Sequence, residues 1–191
     1  MLRALALSLT LLATASCGQQ PGSASASLPL QGRVTDEAGL LSTQQKAAIT
    51  ARLVDLERTK GHQFAVVTVN SLKGQDIAAY TRDLGNSWGI GRKDINDGVI
   101  LLVAPNERQV RIEVGKGLEQ TLSDEKTAGI IQTEITPRFA SGDMPGGISA
   151  GVGAVITALN PAKVHLASHA GHSQTGPAHS AAAPELQAAS R

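Results

Sequence analysis

Five consecutive apolar residues, Val99-Ile100-Leu101-Leu102-Val103, leave no polar position that could keep one face of an element in water. Bounded by Gly98 and Pro105, the run is short for a helix and reads as a central strand covered on both faces. A chain built around such a strand needs layers on either side of its sheet. Pro105-Asn106-Glu107-Arg108 supplies a turn, after which Val110, Ile112 and Val114 alternate with Gln109, Arg111 and Glu113. That alternation is the period of a half-buried strand, so Gly98 to Ala104 and Gln109 to Val114 are expected to form an antiparallel hairpin. Gly89-Ile90-Gly91 precedes the hairpin and Gly115-Lys116-Gly117 follows it, with Asp94, Asp97, Glu119 and Asp124 nearby.

The flanking sequence supplies the covering layers. Ser42-Thr43-Gln44-Gln45 is a capping box, predicting a helix from about Thr43 to about Thr59 with Ile49, Leu53 and Leu56 on one stripe and Lys60-Gly61 as its stop. Gln63 to Asn70 is rich in β-branched residues and reads as a strand. Asp76 can cap a second helix whose Ile77, Tyr80, Leu84 and Trp88 face one way. Ser123 caps a third, with the stripe Ala128, Ile131, Ile135 and an expected kink or end at Pro137. Pro145 opens a last helix, Gly146 to Leu159, with Ile148, Val152, Val155 and Leu159 inward. The expected architecture is an α/β layered sandwich with a mixed central sheet flanked by helices and a fourth strand near Arg33. Gln63 to Asn70 and Gly98 to Ala104, joined by a helix, should be parallel through a right-handed crossover.

The ends of the chain have a different character. Met1-Leu2-Arg3 and the apolar stretch Ala4 to Ala15 have the short basic head and apolar middle expected of a secretory leader, read as residues 1–16. Ala13-Thr14-Ala15 fits ordinary cleavage, whereas Ala15-Ser16-Cys17-Gly18 resembles a bacterial lipobox in which Cys17 is the lipidation site; both remain open. Residues 17–30 read as a flexible tether, 31–159 as one domain, and 160–191 as a disordered tail rich in Ala, Ser and His. His165, His169, His172 and His179 in that tail lack the cysteine or carboxylate companions of a structured metal site. Cys17 is the only cysteine, so no internal disulfide is available. Lys and Arg number 17 against 16 Asp and Glu, which offers no basic excess for nucleic acid, and one Trp, one Tyr and two Phe provide no stacking platform.

Trp88-Gly-Ile-Gly91, Asn96-Asp-Gly-Val-Ile-Leu-Leu-Val103 and Val110-Arg-Ile-Glu-Val-Gly-Lys-Gly-Leu-Glu119, in this order, resemble the signature of the TPM-domain family, found in exported bacterial and thylakoid-lumen proteins. Val34 to Ser42 and Pro137 to Asp143 agree with it, and the likeness spans roughly Leu30 to Leu159. Two departures are Lys116, where many relatives carry an aromatic, and the missing membrane-spanning segment that some relatives carry after the domain. The resemblance implies two functions of different kinds. One is an auxiliary interaction module at the cell envelope for assembly or maintenance of membrane complexes, with a membrane reached through a lipid anchor and an envelope protein as partner. The other is a metal-assisted acid phosphatase acting on phosphomonoesters.

The residues narrow the chemistry further. His62 is the only histidine of the predicted domain and no cysteine accompanies it, which disfavours a nucleophilic triad. Neither glycine loop has the spacing of a phosphate or dinucleotide cradle, so no nucleotide cofactor is expected. Carboxylates remain: Asp36, Asp97, Glu113, Glu119 and Asp124 fall at strand ends or in loops, and oxygen ligands of this kind suit calcium or magnesium. Asp97 and Glu119 lead, because the hairpin brings their loops to one end of the sheet. Asp94 is held in reserve, since Arg92 and Lys93 can neutralise it. Each acid also has an ordinary structural explanation as a turn, cap or surface residue.

Overall fold

The computed structural model describes residues 28–160, so the leader, Cys17, most of the tether and the histidine tail lie outside the described residues. Strands β1 (Val34–Asp36), β2 (Gln63–Thr68), β3 (Gly98–Ala104) and β4 (Gln109–Val114) form one sheet in that spatial order. β1 pairs parallel with β2 and β2 with β3, while β3 and β4 form the antiparallel hairpin, with Ala104 opposite Gln109. The apolar run is therefore an inner strand, and all seven residues of β3 are buried.

Alternation along β2 and β3 divides the core in two. Phe64, Val66, Leu101 and Val103 face α1 (Thr43–Lys60) and α5 (Met144–Leu159), which contribute Leu53, Leu56, Ile148, Val152 and Val155. Val67, Ile100 and Leu102 face α2 (Ile77–Trp88) through Tyr80 and Leu84. The described residues form three layers, helices on both faces of a mixed sheet. Each fully buried leucine or valine contributes about 1.5–3 kcal/mol by leaving water, so this double cover explains why β3 tolerates no polar residue.

Local signals set most of the element ends. The Ser42 hydroxyl accepts from the Gln45 amide while the Gln45 side chain accepts from the Ser42 amide, and Gly61 ends α1 at φ 78°. Asp76 accepts from the Ala79 amide at the start of α2, and Gly89 ends that helix at φ 62°. β2 stops at Thr68, two residues short of the expected Asn70, although the Val69 amide still donates to the Val103 carbonyl at 3.0 Å.

The third helix departs from its expected form. α3 (Asp124–Ile130) passes through a π-turn (Ile131–Ile135) into α4 (Thr136–Ala140). Pro137 sits in the first turn of α4, where a missing amide costs little, so it does not end the helix. Arg138 helps by donating Nη1 to the Glu134 carbonyl at 2.6 Å. The wider π-turn also shifts the inward stripe by about one residue. Thr127 and Ile135 are buried, whereas the expected Ala128 is exposed.

β2 and β3 are parallel as expected, and the helices of the two parallel connections lie on opposite faces of the sheet. The loops leaving the carboxyl ends of β1 and β2 thus diverge to opposite faces, the arrangement that opens a crevice at the end of an α/β sheet.

Candidate functional site

The two glycine loops meet. The Gly115 amide donates to the Gly98 carbonyl at 2.8 Å, and the Gly117 amide donates to the Asn96 carbonyl at 3.0 Å. A Cβ on Gly115 would stand far inside van der Waals contact with the Asn96 carbonyl oxygen, and one on Gly117 equally far inside contact with that of Ile95. One on Gly98 would stand 2.5 Å from the Ile90 carbonyl oxygen. These glycines are required because backbone lies directly on backbone where the sheet ends.

Asp97 fastens the same junction from inside. Its Oδ1 accepts from the Arg92 amide at 2.8 Å; its Oδ2 accepts from Arg92 Nε at 2.9 Å and Nη2 at 2.6 Å, and lies 3.1 Å from His62 Nδ1. The residue is completely buried. Burial alone raises a carboxyl pKa, but the Arg92 side chain, the Arg92 amide and His62 outweigh it and lower the Asp97 pKa to about 2. Asp97 is a closed structural anchor with both oxygens engaged.

Asp36 plays the corresponding part at the opposite, carboxyl end of the parallel strands. It accepts from the Leu40 and Leu41 amides, each at 3.0 Å, and from the Thr68 hydroxyl at 2.5 Å, with Lys46 Nζ 3.7 Å away. Burial again opposes ionisation, and the Thr68 hydroxyl, the two amides and Lys46 hold its pKa below the ordinary carboxylate value.

The remaining three predicted acids come together. An open cleft of ≈ 600 Å³ between α2 and the carboxyl end of β4 is lined by Glu113, Glu119 and Asp124, and also by Arg82, Arg111 and Lys116. Glu113 is bound by two arginines: Arg111 donates Nε to Oε2 at 2.9 Å, and Arg82 Nε lies 3.6 Å from Oε1. Glu119 and Asp124 are exposed and form no side-chain ion pair among the described residues. Asp36 and Asp97 do not line this cleft, and Asp94 sits apart on an exposed loop at φ 73°. Among the described residues, no group of three or more His, Cys, Asp or Glu side chains is placed to hold a metal ion.

Sequence reading missed Arg82 because it lies one position beyond the buried Thr81, off the apolar stripe of α2, and nothing local marks it as a partner of Glu113. It also missed the Arg92–Asp97–His62 cluster. A hint was present in an Arg five residues before an Asp inside a glycine-rich loop, but His62 joins only through the parallel pairing of β2 with β3.

Comparison with known proteins decides the family. The model of the TPM domain matches residues 34–158. The chain belongs to the TPM-domain family. Among solved structures, this TPM domain is similar to the N-terminal domain of a protein from P. gingivalis, at 38% identity and a TM-score of 0.63, over 66% of this chain and 81% of that one. It is also similar to the N-terminal domain of cg2496 from Corynebacterium glutamicum, at 21% identity and a TM-score of 0.53, over 78% and 86% of the two chains. BA42 from Bizionia argentinensis gives 20% identity and a TM-score of 0.55 over 63% and 81%. The last two likenesses show the fold alone. No curated protein matches the chain. The glycines and Asp97 of the TPM signature are thus the residues that close one end of its sheet.

Proposed function

We propose that this TPM domain is an exported auxiliary interaction module at the cell envelope, tethered to a membrane through a lipid on Cys17 and serving assembly or maintenance of a membrane complex. The observation that carries this reading is the use made of the signature residues. The glycines pack backbone on backbone, Asp97 is occupied by Arg92 and His62, and His62, the only histidine among the described residues, is held in that cluster and lines none of the clefts described. Such a motif stiffens a scaffold and leaves no nucleophile–base pair to do chemistry. Among the described residues no helix is long and apolar enough to cross a membrane, so attachment in this reading depends on the lipid. The anchor is tested by the mass of the mature N-terminus and by flotation of the protein with membranes after a salt wash; an unmodified chain beginning at Ser16 rejects it.

A second reading, metal-assisted phosphomonoester hydrolysis, is favoured by the cleft between α2 and β4. Arg82, Arg111 and Lys116 offer cationic donors for a phosphate, and Glu119 and Asp124 are two carboxylates of the kind that hold a hydrated magnesium or calcium ion together with a substrate phosphate. The fit is to a two-carboxylate site completed by water and substrate, because the oxygens of Glu113 already face arginines. The discriminating experiment assays the purified full chain against a phosphomonoester panel with chelator, magnesium or calcium. The module reading expects no turnover beyond that of a preparation carrying Glu119→Gln. Metal-dependent turnover that Glu119→Gln abolishes, without lowering the unfolding midpoint, would replace the module with a hydrolase.

A further inference from the structure

A second open groove lies away from the acidic cleft, at the carboxyl ends of the parallel strands. It has a volume of ≈ 930 Å³, within the usual range for small-molecule sites. Its floor is the buried end of β3 at Val103 and Ala104, and its walls are Leu40, Ile77, Val110, Ile131, Phe139 and Met144. All six wall residues are partly exposed apolar side chains. Leu40 follows β1 and Ile77 opens α2, so the groove takes in both loops that diverge to opposite faces of the sheet.

One charged side chain lines this groove. Arg108 closes the hairpin turn in the left-handed region at φ 55°, is exposed, and its guanidinium makes no hydrogen bond or ion pair among the described residues. An apolar trough with a single free guanidinium at its edge complements a ligand with a long apolar body and one anionic end. We infer that the groove binds a single-chain carboxylate amphiphile, a long-chain fatty acid, with the acyl chain along the apolar walls and the carboxylate on Arg108.

A polypeptide segment suits the groove less well. Every peptide unit brings a donor and an acceptor that must be satisfied on burial. Besides Arg108, the groove offers only the side chains of Gln109 and Thr136 for that purpose, and its floor residues are already paired within the sheet. An acyl chain brings no such groups. The guanidinium, in turn, matches a carboxylate through two parallel charge-assisted hydrogen bonds.

Titration calorimetry on the full chain, with tetradecanoate kept below its micelle concentration, tests the inference. Tetradecanoate should bind with one-to-one stoichiometry, and butyrate, too short to fill the groove, should not bind. Arg108→Asn keeps a residue that tolerates the left-handed backbone, and should weaken tetradecanoate about tenfold or more through loss of a charge-assisted pair. Ala140→Trp fills the groove from its exposed wall and should abolish binding while the unfolding midpoint stays near the wild-type value. Three results would each overturn the inference. Equal affinity for tetradecanol and tetradecanoate means the head is unrecognised; unchanged affinity in Ala140→Trp places the ligand elsewhere; and binding of an apolar peptide with a free C-terminal carboxylate, but not of tetradecanoate, makes the groove a peptide site.

Discussion

Gly115→Ala is expected to destabilise the domain by about 3 kcal/mol or more, at or beyond the upper end of ordinary overpacking costs, because the obstacle is backbone and cannot change rotamer. Gly115 has φ −68°, a conformation open to any residue, so backbone strain plays no part. The cost comes from a methyl group placed on the Asn96 carbonyl oxygen, and relief requires separating the two loops and breaking the bonds Gly115 to Gly98 and Gly117 to Asn96. Gly89→Ala is the matched comparison. Its Cβ would meet nothing within 4 Å, but its φ is 62°, so the expected cost is only about 1–2 kcal/mol of left-handed strain. Urea unfolding of both variants measures the difference. If Gly115→Ala proved as mild as Gly89→Ala, close packing of the loops would not be what these glycines provide.

The second large effect is expected at Asp97. A carboxyl whose pKa falls from its ordinary 3.8 to about 2 on folding stabilises the native state fully above pH 4 or so. That contribution, about 2 kcal/mol, is lost as pH falls through about 2. Asp97→Asn removes the charge that Arg92 and His62 contact, and should cost about 2–3 kcal/mol at neutral pH, the range for hydrogen bonds to a charged group. The stability gap between wild type and variant should then narrow as pH falls from about 4 towards 2. A gap that stays constant over that window would mean that the Asp97 charge contributes nothing to the fold. Asp36, whose pKa is also lowered, supports acid sensitivity at the other end of the sheet in wild type and variant alike.

Much of the fold could be read from the sequence because its signals are local. The capping box at Ser42, the cap at Asp76, Gly61 and the apolar run of β3 each act within one element and appear where expected. The π-turn did not, since a single extra residue in a helix leaves no mark in an apolar stripe that a shifted set of residues can satisfy. The placing of α1 and α2 on opposite faces also escaped, because strand pattern carries no record of which face the next helix covers. At the site, the acids were legible as a set, but not their division. Asp97 and Glu119 sit in neighbouring loops, yet Asp97 turns inward to Arg92 and His62 and Glu119 remains exposed. That choice depends on which side chain finds a cation at the junction, and His62 reaches it only once β2 and β3 are paired. The glycine loops were recognised as a pattern, whereas their contact with each other follows from hairpin register and has no sequence mark of its own.

The central claim is that the acids of this TPM domain divide into fold-holding anchors, Asp36 and Asp97, and free cleft residues, Glu119 and Asp124. The most direct measurement is thermal unfolding of the wild type, Asp97→Asn and Glu119→Gln, each with chelator and with calcium. Asp97→Asn should lower the midpoint by on the order of 8 °C, the equivalent of about 2 kcal/mol in a domain of this size, and by the same amount in chelator and in calcium. Glu119→Gln should leave the midpoint in chelator within about 2 °C of wild type, as expected for a surface substitution. An Asp97→Asn midpoint equal to wild type in chelator, together with loss of any calcium response, would make Asp97 a ligand and contradict the account.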